Sequence, residues 1–161
     1  MKEKLPGELD PRLRAGFDRI CARYPQKRAA LLPILHLVQE REGFLSRESL
    51  VQVAGYLEVP PVEVLGVVTF YPMFRRKPGG RHRVAVCRNI SCHLLGARGI
   101  LQAIEKRFGV HPGETTGDGR FTLESVQCQG ACGCAPMLTL DGEYHENLTP
   151  DAAVALLEGL E

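Results

Sequence analysis

Arg81-His82-Arg83-Val84-Ala85-Val86-Cys87, continuing Arg88-Asn89-Ile90-Ser91-Cys92, and Phe121-Thr122-Leu123-Glu124-Ser125-Val126-Gln127-Cys128, continuing Gln129-Gly130-Ala131-Cys132, end alike without forming a sequence repeat. Each is a β-branched, strand-like run that stops at a cysteine, with a second cysteine a few residues further on. Between them Leu94, Ala97, Leu101, Ile104 and Phe108 recur at helical spacing up to Gly109, a pattern that predicts a helix beginning just after Cys92. His111 to Arg120, rich in Gly, Thr and Asp, reads as the loop into the second strand. Strand, helix and strand in this order indicate a mixed α and β unit with a cysteine pair at the end of each strand.

Further along, Met137 to Leu140 and Glu143 to Leu148 flank Asp141-Gly142, a two-residue hairpin signal. Thr149-Pro150-Asp151 then opens a last helix through Val154, Leu156 and Leu157. Upstream, the period changes at Pro78-Gly79-Gly80, which marks a boundary between domains, 1–79 and 80–161. Everything before it is helical in pattern. Asp10-Pro11 starts a helix with Leu13, Phe17, Ile20, Cys21 and Tyr24 on its apolar stripe. A second runs through Leu31, Ile34, Leu35 and Val38 to Gly43, with a kink expected at Pro33. Ser46 and Glu48 open a third with Leu50, Val53, Ala54 and Leu57 inside, and Pro60-Pro61 a fourth with Val64, Leu65 and Val68 inside. Four short helices make a small bundle.

With 161 residues the chain can hold one ordinary domain or two small ones, and 20 basic against 19 acidic side chains leave no electrostatic footprint for nucleic acid or an anionic membrane. Met1 to Asp10 carries charges and breakers where a secretory signal has an apolar run, and no later segment approaches a bilayer-spanning length. The chain therefore reads as soluble and cytoplasmic, a compartment where clustered cysteines are ligands or redox groups more often than disulfides. There is no G-x-G-x-x-G fingerprint and no P-loop, so no nucleotide site is expected and no catalytic residue is assigned.

Cys87-x4-Cys92 and Cys128-x3-Cys132 bring four soft thiolates, which both iron-sulfur clusters and zinc select. The wide loops suit two irons better than one small ion, yet a closed structural zinc site remains compatible with such spacing. Gly130 and Gly133 allow close backbone approach, and main-chain N–H groups near them can hydrogen-bond sulfur. Cys134 reads as a free thiol beside a complete set of four. His93 lacks the second histidine that a Rieske-type iron requires. Cys21, on an apolar stripe, reads as a small buried hydrophobe.

A wider set of residues resembles one family. It comprises Gln39-Glu40-Arg41-Glu42-Gly43, Glu48-Ser49-Leu50, Gly66-Val67-Val68-Thr69-Phe70-Tyr71-Pro72-Met73-Phe74, Val86-Cys87, Ser91-Cys92, Gly113-Glu114-Thr115-Thr116, Asp118-Gly119, Phe121, Val126, Cys128-x-Gly130-Ala131-Cys132 and Ala135-Pro136. The chain is similar over nearly all its length to the thioredoxin-like 2Fe-2S ferredoxin family typified by the E-type component of NADH:quinone oxidoreductase, respiratory complex I. The resemblance implies an α+β architecture, with a helical bundle over 1–79 and a thioredoxin-like domain over 80–161. It implies one 2Fe-2S cluster on Cys87, Cys92, Cys128 and Cys132, and it displaces zinc.

It further implies an electron-transfer subunit of an NADH-oxidising complex, exchanging single electrons with the flavin of a partner. That partner is the NADH-oxidising FMN and iron-sulfur flavoprotein, the F-type component of the same complex, so FMN and NADH belong to the partner and the chain is not catalytic alone. The place implied is peripheral, on the cytoplasmic side of the membrane. Equivalent proteins serve NAD-linked formate dehydrogenases and hydrogenases, and a zinc-stabilised interaction module is the reading from another class. Gln129 stands where the family commonly has an apolar residue, and Cys134 is not one of its usual ligands. Thr69-Phe70-Tyr71-Pro72-Met73-Phe74 is either a docking surface or bundle core, and Arg75, Arg76 and Lys77 beside it read as a solvated turn.

Overall fold

The computed structural model describes residues 10–160, so Met1 to Leu9, part of the stretch read above for a signal, lie outside the described residues. The chain divides into two compact units that adjoin between Pro78 and Gly79.

In the first unit, helix α1 (Pro11–Cys21) starts where expected, because the Asp10 carboxylate accepts the Arg12 N–H at 2.7 Å and satisfies a donor that the helix cannot. A 3-10 turn over Lys27–Ala30 leads into α2 (Leu31–Glu42). The expected kink at Pro33 does not divide this helix: the proline lies in its first turn, where N–H groups have no intrahelical acceptor to lose. Gly43 ends α2 at φ 80°, a left-handed stop. Helix α3 (Arg47–Leu57) is capped by Ser46, whose Oγ accepts the Ser49 N–H at 3.0 Å, and α4 (Pro61–Phe70) begins on its proline.

Phe17, Ile34, Leu35, Val38, Val53 and Val64 form the fully buried centre of this unit, with Cys21 partly buried against it. Leu65 departs from expectation, being 41% exposed. Helix α4 is apolar on most sides (Pro61-Val62-Glu63-Val64-Leu65-Gly66-Val67-Val68), so its sequence does not say which side faces in. Tyr24 also lies outside the expected stripe, since α1 stops at Cys21 and leaves it exposed. The stretch from the end of α4 onward divides: Phe74 is buried among the bundle residues while Phe70, the last residue of the helix, is 77% exposed. Gln39 of α2 fixes it, its Nε2 donating to the Met73 carbonyl at 2.9 Å and its Oε1 accepting the Arg75 N–H at 2.6 Å.

The second unit is a four-stranded sheet in the order β2-β1-β3-β4. Strand β1 (His82–Cys87) pairs in parallel with β2 (Phe121–Val126) and antiparallel with β3 (Leu138–Leu140), which pairs antiparallel with β4 (Glu143–His145). Asp141 (φ 52°) and Gly142 (φ 94°) make the predicted tight turn, and Asp141 Oδ1 accepts the Arg83 N–H at 2.7 Å. Val84, Val86, Leu123 and Leu138 bury one face of the sheet with Ile100 and Ile104 of α6 (Ala97–Phe108) and Ala153 and Leu157 of α7 (Pro150–Glu158).

One expectation changes here. Instead of a single helix starting after Cys92, a short helix α5 (Ile90–Leu94) contains Cys92, and α6 begins only at Ala97. Gly96, at φ 105°, makes the break, a conformation that glycine adopts without steric cost. Leu94 is therefore 77% exposed and not part of the α6 inner face.

Gly80 lies against β2 so closely that an added Cβ would stand 2.6 Å from the Phe121 backbone. Gly80→Ala is expected to destabilise the second unit by about 1–3 kcal/mol, because backbone rather than a flexible side chain must yield. The urea midpoint of the full chain measures this.

Candidate metal centre

The parallel β1–β2 ladder runs in register to Cys87↔Val126, and the Arg88 N–H donates to the Val126 carbonyl at 2.9 Å one step beyond. Both strands thus end at the same edge, and the two cysteine pairs follow from there. Cys87 is 3% exposed, with its N–H donating to the Met137 carbonyl at 3.2 Å and its Sγ lying 3.9 Å from the Gln127 carbonyl. Cys92 is also buried. Asn89 caps α5, its side-chain oxygen accepting the Ile90 N–H at 2.6 Å, and this sets the helix that points Cys92 inward. Cys87, Cys92, Ala97, Ala135 and Met137 form a separate apolar cluster at this end, with Ala131 packed on it.

The second pair lies on the outer side. Cys128 and Cys132 are exposed, in a loop where Gly130 takes φ 81° and donates its N–H to Cys128 Sγ at 3.3 Å. A 3-10 turn over Cys132–Cys134 follows. Cys134 is half-buried, and its backbone is held on both sides, by its N–H to the Ala131 carbonyl at 3.1 Å and by the Asn147 N–H to its own carbonyl at 2.9 Å. Gln129 ties the loop to the hairpin. Its Nε2 donates to Thr139 Oγ1 at 3.3 Å, and its carbonyl accepts the Tyr144 hydroxyl at 2.8 Å.

The thiols act on one another. Burial first, then the Cys87 thiol, pushes the Cys92 thiol up to about 11 against the opposing pull of the Met137 backbone, with smaller contributions from the charges of Cys87 and Cys132. Cys128 moves down, held below its usual value by the Gly130 N–H first, then by the Asn89 side chain and Cys132. Asn89 is a residue that the sequence reading passed over; the available signal was an Asn at the N-cap position of a helix that carries a candidate ligand. In the iron-free chain at neutral pH, Cys128 is expected to react with iodoacetamide at least about tenfold faster than Cys92, since exposure and thiolate fraction both favour it. Peptide mapping by mass spectrometry reads the ratio.

Among the described residues, no group of three or more His, Cys, Asp or Glu side chains is arranged to hold a metal ion. Cys92 feels Cys87 and Cys132, and Cys128 feels Cys132, so thiols of the two pairs lie near one another. A model of the thioredoxin-like [2Fe-2S] ferredoxin family matches residues 17–161. The chain belongs to the thioredoxin-like [2Fe-2S] ferredoxin family.

Members with curated names are similar over most of the chain. A Rhizobium meliloti protein, the second E-type component of NADH-quinone oxidoreductase in that organism by name, is 40% identical over 146 residues, 91% of this chain and 87% of that protein. The E-type component of NADH-quinone oxidoreductase from Mycobacterium bovis is 38% identical over 155 residues, 96% of this chain, which spans 62% of the length of that relative. The fold is also that of part of an NAD+-reducing [NiFe]-hydrogenase structure, with a TM-score of 0.70 at 24% identity over 80% of this chain and 22% of that one. The α+β architecture, a helical N-terminal region followed by a thioredoxin-like [2Fe-2S] ferredoxin fold, is thereby that of the family.

Proposed function

We propose that this member of the thioredoxin-like [2Fe-2S] ferredoxin family is the electron-transfer subunit of an NADH-oxidising complex of the NADH:quinone oxidoreductase type. The carrying observation is that two cysteine pairs, each following one of two parallel strands, lie at one edge of the sheet beside a small apolar cluster. Cys87, Cys92, Cys128 and Cys132 would hold the cluster, and the donor chemistry of four thiols in two pairs fits two irons. A bound 2Fe-2S group supplies a site that accepts and gives up one electron at a time.

The residues around it set how readily that happens. Burial of Cys87 and Cys92 opposes added negative charge, whereas the Gly130 N–H on Cys128 Sγ favours it, so the two halves of the site pull the reduction potential in opposite directions. In this reading 1–79 is a helical-bundle domain and 80–161 the cluster domain. The partner is the F-type component, the FMN and iron-sulfur flavoprotein that binds NADH, and the chain has no turnover alone. Among the described residues no helix is long and apolar enough to cross a membrane, which is compatible with a peripheral place on the cytoplasmic side of the complex.

Purified aerobically or anaerobically, the chain should be coloured, carry two irons, and become paramagnetic with NADH only when the flavoprotein is added. A colourless, zinc-filled protein overturns the reading. Chains that co-purify separate a quinone reductase from a hydrogenase or a formate dehydrogenase.

A further inference from the structure

Helix α5 is turned with its small thiol inward and its large aliphatic side chains outward. Cys92 is 2% exposed, whereas Ile90 and Leu94, one helical turn apart on the opposite side, are 72% and 77% exposed, and Leu95 beside them is 59% exposed. A solvated loop gains nothing from three uncovered aliphatic side chains next to a candidate ligand, and contiguous exposed apolar surface marks an interaction site. In the sequence on either side of it, 88 to 104 contains Arg88 and Arg98, both exposed, and no Asp or Glu, and 127 to 140 contains no Lys, Arg, Asp or Glu.

We propose that Ile90, Leu94 and Leu95 form the docking face for the redox partner, whose matching surface is apolar at its centre and acidic at its rim. This rests on the electron-transfer reading above for the partner's identity. An apolar seat excludes water beside Cys92 and shortens the path between redox groups, and Arg88 and Arg98 steer the approach of the acidic rim.

The test immobilises the NADH-oxidising flavoprotein of the same source and passes the iron-loaded full chain over it. I90E/L94E should bind about 100-fold more weakly than wild type, as for a truncated interface centre. R88E/R98E should associate about tenfold more slowly at low salt, with the difference vanishing at high salt. Iron content and the electron paramagnetic resonance signal of both variants should stay at the wild-type level. If I90E/L94E loses its fold, Leu94→Gln, which adds no charge, should still weaken binding about tenfold. Equal binding by wild type and Leu94→Gln, absence of binding by wild type, or variants that abolish only self-association of this chain would overturn the docking face. A wild-type chain without iron whose binding is nonetheless lost in I90E/L94E would overturn the electron-transfer reading and leave the docking face standing.

Discussion

Cys87→Ser and Cys128→Ser chains purify with at least about tenfold less iron than wild type, while Cys134→Ser retains it; that is the expected result. Changing a residue that merely orients a metal ligand costs about 10–100-fold in affinity, and loss of a ligating sulfur costs more. The two positions probe different halves of the site. Cys87 closes β1 inside the apolar cluster, so serine there places a hydroxyl among Met137, Ala135 and Cys92 with no thiolate to give. Cys128 is exposed and receives the Gly130 N–H, so its substitution removes a proposed ligand without disturbing buried packing. Iron analysis and the visible spectrum, with folding checked by circular dichroism, separate loss of the cluster from loss of the fold. Iron lost in Cys134→Ser but kept in Cys128→Ser or Cys132→Ser would put the ligand register elsewhere in the loop.

Phe121→Ala should cost about 3–5 kcal/mol of stability, the range for removing a large aromatic from a packed core. Phe121 is fully buried and meets the Phe108 ring edge-to-face at 5.2 Å, with the Arg120 guanidinium 5.6 Å from the same Phe108 ring. Its backbone is equally committed: the Phe121 N–H donates to Thr116 Oγ1 at 3.2 Å, and its carbonyl accepts the Thr116 N–H at 2.9 Å. The side chain therefore leaves a cavity whose walls have little freedom to collapse. Urea unfolding of the iron-loaded full chain, followed by circular dichroism, measures the loss. Phe70→Ala, at a ring 77% exposed, serves as the contrast and should change stability by less than about 0.5 kcal/mol. A Phe121→Ala chain within about 1 kcal/mol of wild type would show that the packing at the start of β2 can close over the lost ring.

The features legible in the sequence are those written in local chemistry. Asp10, Ser46 and Thr149 accept backbone N–H groups of the helices that follow them, as their position before each helix implies, and Asp141-Gly142 makes the turn its residues require. The strand ends at Cys87 and beside Cys128 were visible because β-branched runs stop there. What escaped was orientation where local chemistry is silent. Leu65 lies on a helix that is apolar nearly all round, and periodicity needs a polar side to name an inner one. Leu94 kept the helical spacing of α6 across Gly96, although the left-handed turn there starts a new helix. The role of Asn89 depends on how close Cys128 comes, a proximity created by the parallel pairing of strands far apart in sequence.

That pairing also settles where the chain can tolerate added length. One residue inserted after Leu123 within β2 would, with Phe121 and Leu123 held in the core, turn the rest of the strand to its other face and advance Cys128 by about 3.3 Å. One inserted near Gly117 would lengthen a surface turn and leave the ladder untouched. Natural or engineered variation in length is thus admissible in the turn around Gly117 but not in 113–116, whose backbone bonds β2, nor between strand and cysteine, and the separation of the two cysteine pairs is dictated by the spacing of hydrogen-bonded strands.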